Sequence, residues 1–209
     1  MVEFITVAGP SSGEIEEKKS RFIARLIPCE TEEAANAFIE NSKKQFWDAR
    51  HNCYAYILGE RGDVVKCSDD GEPQKTAGQP ILSVLQGAEL TNVCCVVTRY
   101  FGGTLLGTGG LIRAYTDSTK AAVDAACRIK KQPGYLLKID TDYTDLGKIQ
   151  YLLNTENVEI VSTDYAEGVC ISVEVEVTKA DTIISKIVDA TSARAKITKA
   201  SEIVMDVEI

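Results

Sequence analysis

The sequence predicts an α+β protein built from two consecutive domains, and three observations support this prediction. Apolar residues recur at helical spacing in some segments and alternate with polar residues in others. With 209 residues and 44% hydrophobic content, the chain can bury one large core or two small ones. A long helical pattern stops at residues 130–134, KKQPG, before a new strand begins. We therefore predict one domain over residues 1–131 and a second over residues 135–209.

Local signals predict the elements of the first domain in order. Thr31 is a residue type that caps a helix N-terminus, and Glu32 and Glu33 behind it complement the helix dipole. Tyr54, Tyr56 and Leu58 alternate before a turn at 60–63, which is typical of a β-hairpin. The predicted elements are a strand at 14–28, a helix at 32–46, this hairpin, a short helix from Pro80, a strand at 93–100 and a helix at 110–127.

The second domain is predicted as a ferredoxin-like unit. Its pattern indicates strands at 135–142, 157–164, 169–177 and 196–208, with helices at 145–154 and 179–190. The resulting order is βαββαβ, which is the order of the ferredoxin-like fold.

Charge and composition restrict the possible functions. The net charge is −8 and neither domain is basic, so contact with a polyanion must come from a local patch. The chain has no apolar run of 18 residues, and its N-terminus lacks the features of a signal peptide. We expect a cytoplasmic protein with no membrane partner. One histidine and seven cysteines without CxxC spacing offer few metal ligands, so we expect no metal and no cofactor.

A glycine-rich segment between an apolar strand and a helix is the first candidate site. Its glycines are Gly102, Gly103, Gly107, Gly109 and Gly110. Arg99 precedes this segment and Arg113 follows it, in what we predict to be the first helical turn. Two guanidinium groups near a helix N-terminus favour binding of an anion or a nucleic acid. Alternatively, the glycines serve close packing and the arginines pair with carboxylates of the same fold. The spacing matches neither the Walker A nor the dinucleotide fingerprint.

An acidic turn, defined by Asp69, Asp70 and Glu72, is the second candidate. Its three carboxylates could bind a divalent ion or supply a general base. Asp and Gly also favour tight turns, and Pro73 fixes φ, so we favour a rigid turn without chemistry. His51, the only histidine, could relay protons or make a structural hydrogen bond, and we favour the second. We assign no catalytic residue.

Four motifs together resemble the IMPACT/YigZ family. They are SRFIA at 20–24, ARHNCYAY at 49–56, SDDGEPQKTAGQPIL at 68–82 and VVTRYFGGTLLGTGGLIRAY at 96–115. The resemblance implies a first domain like domain 2 of ribosomal protein S5, also seen in elongation factor G, joined to a ferredoxin-like domain. It also implies a link to translational control. Eukaryotic members inhibit a stress-activated initiation-factor kinase by competing for its activator, and nucleic-acid or ribosome binding is suggested for bacterial members.

The family pattern falls on particular residues of this chain. In the acidic region it falls on Asp69, Asp70, Gly71, Glu72, Pro73, Thr76, Ala77, Gly78 and Pro80. In the glycine-rich region it falls on Arg99, Tyr100, Phe101, Gly102, Gly103, Gly107, Gly109, Gly110, Arg113 and Tyr115. The chain departs from the pattern at Lys75, where family members commonly have glycine, so this lysine either adopts an ordinary backbone conformation or is strained.

Our leading hypothesis is a non-enzymatic cytoplasmic regulator that binds RNA, the ribosome or a translation-associated protein. Binding would use Arg99, Arg113 and the glycine-rich segment, with His51, Lys75, Thr76, Tyr100 and Tyr115 as possible auxiliary residues. One alternative is an enzyme acting on a phosphorylated small molecule through the acidic turn and the glycine-rich segment. Another is an interaction adaptor with no preference for anions.

Overall fold

The computed structural model describes residues 2–209, which form two compact units. Residues 2–130 with 208–209 make up the first unit, and residues 131–207 make up the second. The strands are β1 (Phe4–Val7), β2 (Ser11–Glu17), β3 (Ser20–Pro28), β4 (His51–Leu58), β5 (Val64–Ser68), β6 (Val93–Tyr100), β7 (Arg128–Thr141), β8 (Ile160–Tyr165), β9 (Val169–Glu176) and β10 (Lys196–Glu208). The helices are α1 (Glu32–Gln45), α2 (Gly78–Gly87), α3 (Gly107–Asp124), α4 (Tyr143–Thr155) and α5 (Val177–Thr191). The predicted α+β class is confirmed.

The first unit is built around an antiparallel sheet in the order β2-β3-β6-β4-β5. Strand β6 reads as a continuous apolar run because both of its faces are buried. Val93, Cys95 and Val97 join the core that contains α2 and α3. Cys94 and Val96 point to the opposite face and join the smaller core of α1. The central strand therefore holds helices on both sides of the sheet.

Several element boundaries differ from those predicted. The strand expected at 14–28 is a hairpin, because Lys18 and Lys19 form a two-residue turn with φ angles of 47° and 66°. Lysine is not a typical residue for such a turn, so the sequence carried no signal for it. Helix α3 begins at Gly107 and ends at Asp124, and α2 begins at Gly78. Strand β7 begins at Arg128, seven residues before its predicted start at Tyr135.

Pro133 lies inside β7 without interrupting it. The ladder between β7 and β9 starts at Gly134, so Pro133 is placed just before the residues that pair with β9. The predicted break between elements at residues 130–134 is wrong, because these residues lie within β7.

The second unit has the predicted βαββαβ order, from β7 to β10. Its strands are arranged β8-β9-β7-β10, and α4 and α5 contribute Ile149, Leu153, Ile183 and Ile187 to one core. Asp145, in the first turn of α4, has a fully buried side chain that accepts hydrogen bonds from Lys148 and Arg194. These bonds lower the pKa of the Asp145 carboxyl below its usual value.

No helix within residues 2–209 is both long enough and apolar enough to cross a lipid bilayer.

Candidate functional site: a cleft at the start of helix α3

A cleft of about 330 Å³ brings both sequence-predicted regions together in the first unit. It is lined by Arg50, His51, Gly71, Glu72, Pro73, Arg99, Phe101, Leu105, Leu106, Gly107, Thr108 and Leu111. The sheet produces this convergence, because Arg99 near the end of β6 pairs in register with His51 at the start of β4. The acidic turn follows β5, which is hydrogen-bonded to β4. Residues 27 positions apart therefore meet at one end of the sheet, as Arg99 and Glu72 do.

Arg99 is buried and bound to Glu72 in the wall of the cleft. Its Nη1 donates to Glu72 Oε1 at 2.6 Å, and the two side chains are only 6% and 3% exposed. The Tyr115 hydroxyl donates to the same carboxylate oxygen at 2.9 Å. The alternative in which an arginine pairs with a carboxylate of the same fold therefore describes Arg99. Its Nε is also buried, and no hydrogen-bond partner for it exists in residues 2–209.

The acidic turn acts as a backbone cap. Asp69 accepts hydrogen bonds from the backbone N–H groups of Lys75, Ala77 and Gly78 at 2.8 to 3.0 Å. Asp69 thereby caps helix α2, whose own N-cap residue Ala77 has no side-chain oxygen to do so. Asp70 accepts from the backbone N–H of Asn52 at 2.7 Å. These hydrogen bonds hold the segment in the tight turn that its Asp and Gly residues predict.

In residues 2–209, no three His, Cys, Asp or Glu side chains are grouped so as to hold a metal ion. Both oxygens of Asp69 already accept hydrogen bonds, which leaves them poorly placed to serve as ligands.

His51 is oriented by the backbone of the acidic turn. Its Nδ1 lies 2.8 Å from the carbonyl oxygen of Asp70. Because a carbonyl only accepts, the neutral ring carries its proton on Nδ1. Its Nε2 then lies beside the cleft, 3.9 Å from Glu72 Oε1. The structural hydrogen bond that we favoured is present, and one ring nitrogen remains available.

Two further side chains behind the cleft are held in their neutral forms. The Cys53 thiol donates to the carbonyl of Asp69 at 3.0 Å and lies 3.3 Å from the Tyr115 hydroxyl. Burial raises the pKa of both groups well above their usual values. Cys53 and Tyr115 therefore stay protonated near neutral pH, and neither is an activated nucleophile.

The five glycines do not form one loop. Gly102 and Gly103 lie between β6 and α3, whereas Gly107, Gly109 and Gly110 belong to the first turn of α3. Glycine favours helix poorly, but Leu111, Ala114 and Tyr115 bury one face of α3 and stabilise it. Arg113 consequently lies in the second turn rather than the first, and its side chain is exposed.

Gly102 is required by a close approach of two backbones. A Cβ at this position would overlap the backbone of Lys19 and Ser20. The Gly102 N–H also donates to Ser20 Oγ at 3.1 Å. The contact fixes the Lys18–Lys19 turn against the loop that follows β6.

The auxiliary residues have mostly structural positions. Lys75 adopts φ of 63°, in the left-handed region, so this residue is strained where the family commonly has glycine. The Thr76 hydroxyl donates to the carbonyl of Pro73 at 2.6 Å, and the Tyr100 hydroxyl donates to Asp48 at 3.0 Å. Tyr115 supports Glu72 from below the cleft, as described above.

We call three cations the basic rim: Arg50, which lines the cleft, and Lys18 and Lys19, which form the turn whose backbone packs against Gly102. All three are exposed, and none makes an ion pair within residues 2–209. The Arg50 guanidinium lies 5.1 Å from the centre of the Phe101 ring, which is 38% exposed. Leu105, also at the cleft, is 84% exposed. The basic rim is not predicted from the sequence, although Arg50 belongs to the motif ARHNCYAY at 49–56.

Comparisons with known proteins match both parts of the chain. Residues 18–123 match the Impact N-terminal domain, and residues 139–194 match a domain of unknown function, DUF1949. The chain is 43% identical to the IMPACT family member YvyE of Bacillus subtilis over 166 residues, which are 79% of this chain and 76% of that protein. It is 36% identical to the IMPACT family member YigZ of Escherichia coli, covering 90% of this chain and 94% of that protein.

Two other similarities extend this result. A protein named Protein IMPACT-B of Xenopus tropicalis is 33% identical over 56% of this chain and 42% of its own length. A solved structure, titled as the crystal structure of an hypothetical protein, is 32% identical. It covers 96% of this chain and 98% of that chain with a TM-score of 0.60. The predicted arrangement of an S5 domain 2-like unit followed by a ferredoxin-like unit is consistent with these matches.

Proposed function

The chain belongs to the IMPACT family, and from this premise we propose that it is a non-enzymatic regulator of translation that binds RNA of the ribosome through its first unit. One observation carries the proposal: the three cations of the basic rim are exposed and unpaired within residues 2–209, and one of them, Arg50, lies over the exposed ring of Phe101, on a chain whose net charge is −8.

The basic rim has the chemistry that single-stranded RNA requires. Lysine and arginine neutralise phosphates, and an aromatic ring offers a face on which a base can stack. Lys19 is held against Gly102, and the backbone N–H of Arg50 donates to the carbonyl of Arg99 at 3.0 Å. The backbones of Lys19 and Arg50 are thus both held against the end of β6 and the residue pair that follows it. A local patch of this kind explains how an acidic protein could bind a polyanion selectively.

This assignment changes the role of the predicted residues. Arg99 is occupied by Glu72, so we assign it to shaping the cleft rather than to primary contact with RNA. Arg113 is exposed on α3 and stays a candidate contact residue. The acidic turn positions these groups, because its hydrogen bonds fix the start of α2 and the ring of His51.

An enzyme acting on a phosphorylated small molecule is a second candidate, supported by the position of His51 Nε2 beside the cleft. It is the weaker candidate for two reasons. Burial keeps the neighbouring Cys53 and Tyr115 in their neutral forms, and the Asp69 carboxylate already accepts hydrogen bonds from backbone N–H groups.

The test is co-sedimentation of the full chain with ribosomes over a salt series. The variant Lys18→Gln/Lys19→Gln/Arg50→Gln removes the basic rim, and Lys44→Gln/Lys66→Gln/Lys120→Gln removes three exposed cations elsewhere in the same unit. We expect salt-sensitive association that weakens about tenfold or more in the first variant and little in the control. No association at low salt, or equal losses in both variants, would refute the proposal. Association that resists salt and nuclease would instead indicate a protein partner.

A further inference from the structure

We propose that the cleft itself binds the terminal phosphoryl group of a phosphate monoester, at the start of helix α3. The inference deepens the proposed function and rests on it for the source of that group, a phosphorylated end of RNA. Three independent features of the cleft support it: a helix start without a cap, a buried arginine with an unpartnered nitrogen, and a local excess of positive charge.

The first feature is the N-terminus of α3, which opens into the cleft. The helix has 18 residues, and its N-cap residue, Leu106, makes no side-chain hydrogen bond to the first turn. The first-turn N–H groups therefore lack an intrahelical acceptor and carry partial positive charge. Gly107 and Thr108 at this end both line the cleft, where an anion would meet these donors.

The second feature is Arg99, which forms part of the cleft wall. Glu72 accepts from only one of its three nitrogens, and Nε is buried with no partner in residues 2–209. A buried guanidinium nitrogen without an acceptor is a costly arrangement. Arg99 and the first residues of α3 line the same cleft, so an anion bound there would lie near both.

The third feature is the balance of charge around the cleft. Arg50 and Arg99 line it together with one carboxylate, Glu72, whose Oε1 already accepts two hydrogen bonds. Asp69 and Asp70 do not line the cleft and are turned toward backbone N–H groups. Among the side chains that line the cleft, two arginines therefore face a single carboxylate.

The size and walls of the cleft define the ligand class. A volume of about 330 Å³ accommodates one phosphoryl group and an attached sugar. Buried Leu111 and the ring of Phe101 add an apolar surface to the cleft, against which the sugar or base next to a phosphoryl group would pack. Guanidinium and backbone N–H donors together suit the several acceptor oxygens of a phosphate better than the two of a carboxylate. A terminal monoester carries more negative charge than each diester of a nucleic-acid backbone, so a cationic lining favours it.

The first experiment titrates the full ¹⁵N-labelled chain with inorganic phosphate at constant ionic strength and follows the amide signals of Thr108, Gly109 and Gly110. We expect saturable shifts at these amides. Thr108→Glu places a carboxylate at the start of α3, where the helix dipole favours a negative charge. The same carboxylate repels phosphate, so binding should weaken about tenfold or more. Arg50→Gln should weaken it by a smaller factor. Thr116→Glu, two turns further along α3, adds the same charge and should leave binding unchanged.

The source of the phosphoryl group is tested with oligoribonucleotides that carry either a 5′-phosphate or a 5′-hydroxyl. Tighter binding of the phosphorylated form, lost in Thr108→Glu, supports the complete inference. Equal binding of both forms, with inorganic phosphate still bound, supports the cleft but assigns it to a free phosphate monoester. Absence of saturable shifts, or shifts unaffected by Thr108→Glu, would overturn the inference. The ribosome co-sedimentation above tests a separate point when it is repeated with Thr108→Glu, because this variant leaves all three cations of the basic rim in place.

Discussion

Removal of the Glu72 carboxylate should destabilise the first unit strongly. In Glu72→Ala, the Arg99 guanidinium keeps a side chain that is only 6% exposed but loses its counter-ion. Breaking a buried ion pair in this way costs about 3–5 kcal/mol. The Tyr115 hydroxyl loses its acceptor as well, which adds about 1 kcal/mol. The expected loss is therefore about 4–6 kcal/mol, a large fraction of the stability of a domain.

A double variant separates the effect of the two charges from the effect of the volume that their side chains occupy. Glu72→Leu/Arg99→Met replaces both charges by apolar side chains, and such replacements are often neutral. Only the Tyr115 hydroxyl remains without an acceptor, so we expect a loss of about 1 kcal/mol. The double variant should thus be more stable than Glu72→Ala although it changes more atoms.

Native-state hydrogen exchange is the suitable assay because the chain has two units and this method reports the stability of each unit separately. Amides of β6 and α3 report the first unit, and amides of β9 and α5 provide an internal control in the second. A loss of less than about 1 kcal/mol in Glu72→Ala, or equal losses in the single and double variants, would contradict the account of Arg99 and Glu72 as a buried pair.

Three further predictions concern backbone strain, close packing and pH. Lys75→Gly should stabilise the first unit by about 0.5–1 kcal/mol. It relieves about 1–2 kcal/mol of strain in the left-handed region and costs about 0.5–1 kcal/mol in chain entropy. Chemical denaturation measures the gain, which Lys75→Ala should not show. Gly102→Ala should lower stability by about 2 kcal/mol or more because its Cβ would overlap the backbone of Lys19, and a melting temperature equal to that of the parent would contradict this packing. In the second unit, the pKa of Asp145 is lower in the folded chain than in the unfolded chain, where it is about 3.9. The stabilisation that the Asp145 carboxylate provides is therefore complete above the unfolded pKa and is lost as the pH falls through the folded pKa. The difference in thermal stability between the parent and Asp145→Asn should therefore shrink on acidification below about pH 4, and a difference independent of pH would refute it.

Much of the fold could be predicted from short-range signals. Thr31 caps α1 as expected, and its hydroxyl accepts from the N–H of Ala34 at 3.2 Å. The apolar run at 93–100 is strand β6, with the predicted bounds. The βαββαβ order of the second unit is also correct. Each of these features depends on periodicity or on side chains within a few residues of one another, which the sequence displays directly.

The family was likewise recognisable from contiguous motifs, and the comparisons confirm it. The site was only partly predictable. The acidic turn and the glycine-rich segment were identified, but their separation in sequence concealed that both line one cleft.

Pairings between distant residues required the tertiary structure. Arg99 could be assigned as an anion ligand or as a partner of a carboxylate until the sheet placed Glu72 beside it. The basic rim depends on a turn at Lys18–Lys19 that local propensity does not favour and that the contact with Gly102 holds in place. Residue types and their local spacing therefore predicted the elements, the domain order and the family. Strand register and burial decided which charged residues pair, and hence which cations stay free to bind a ligand. Both depend on contacts between distant residues, so no short segment of the sequence reveals them.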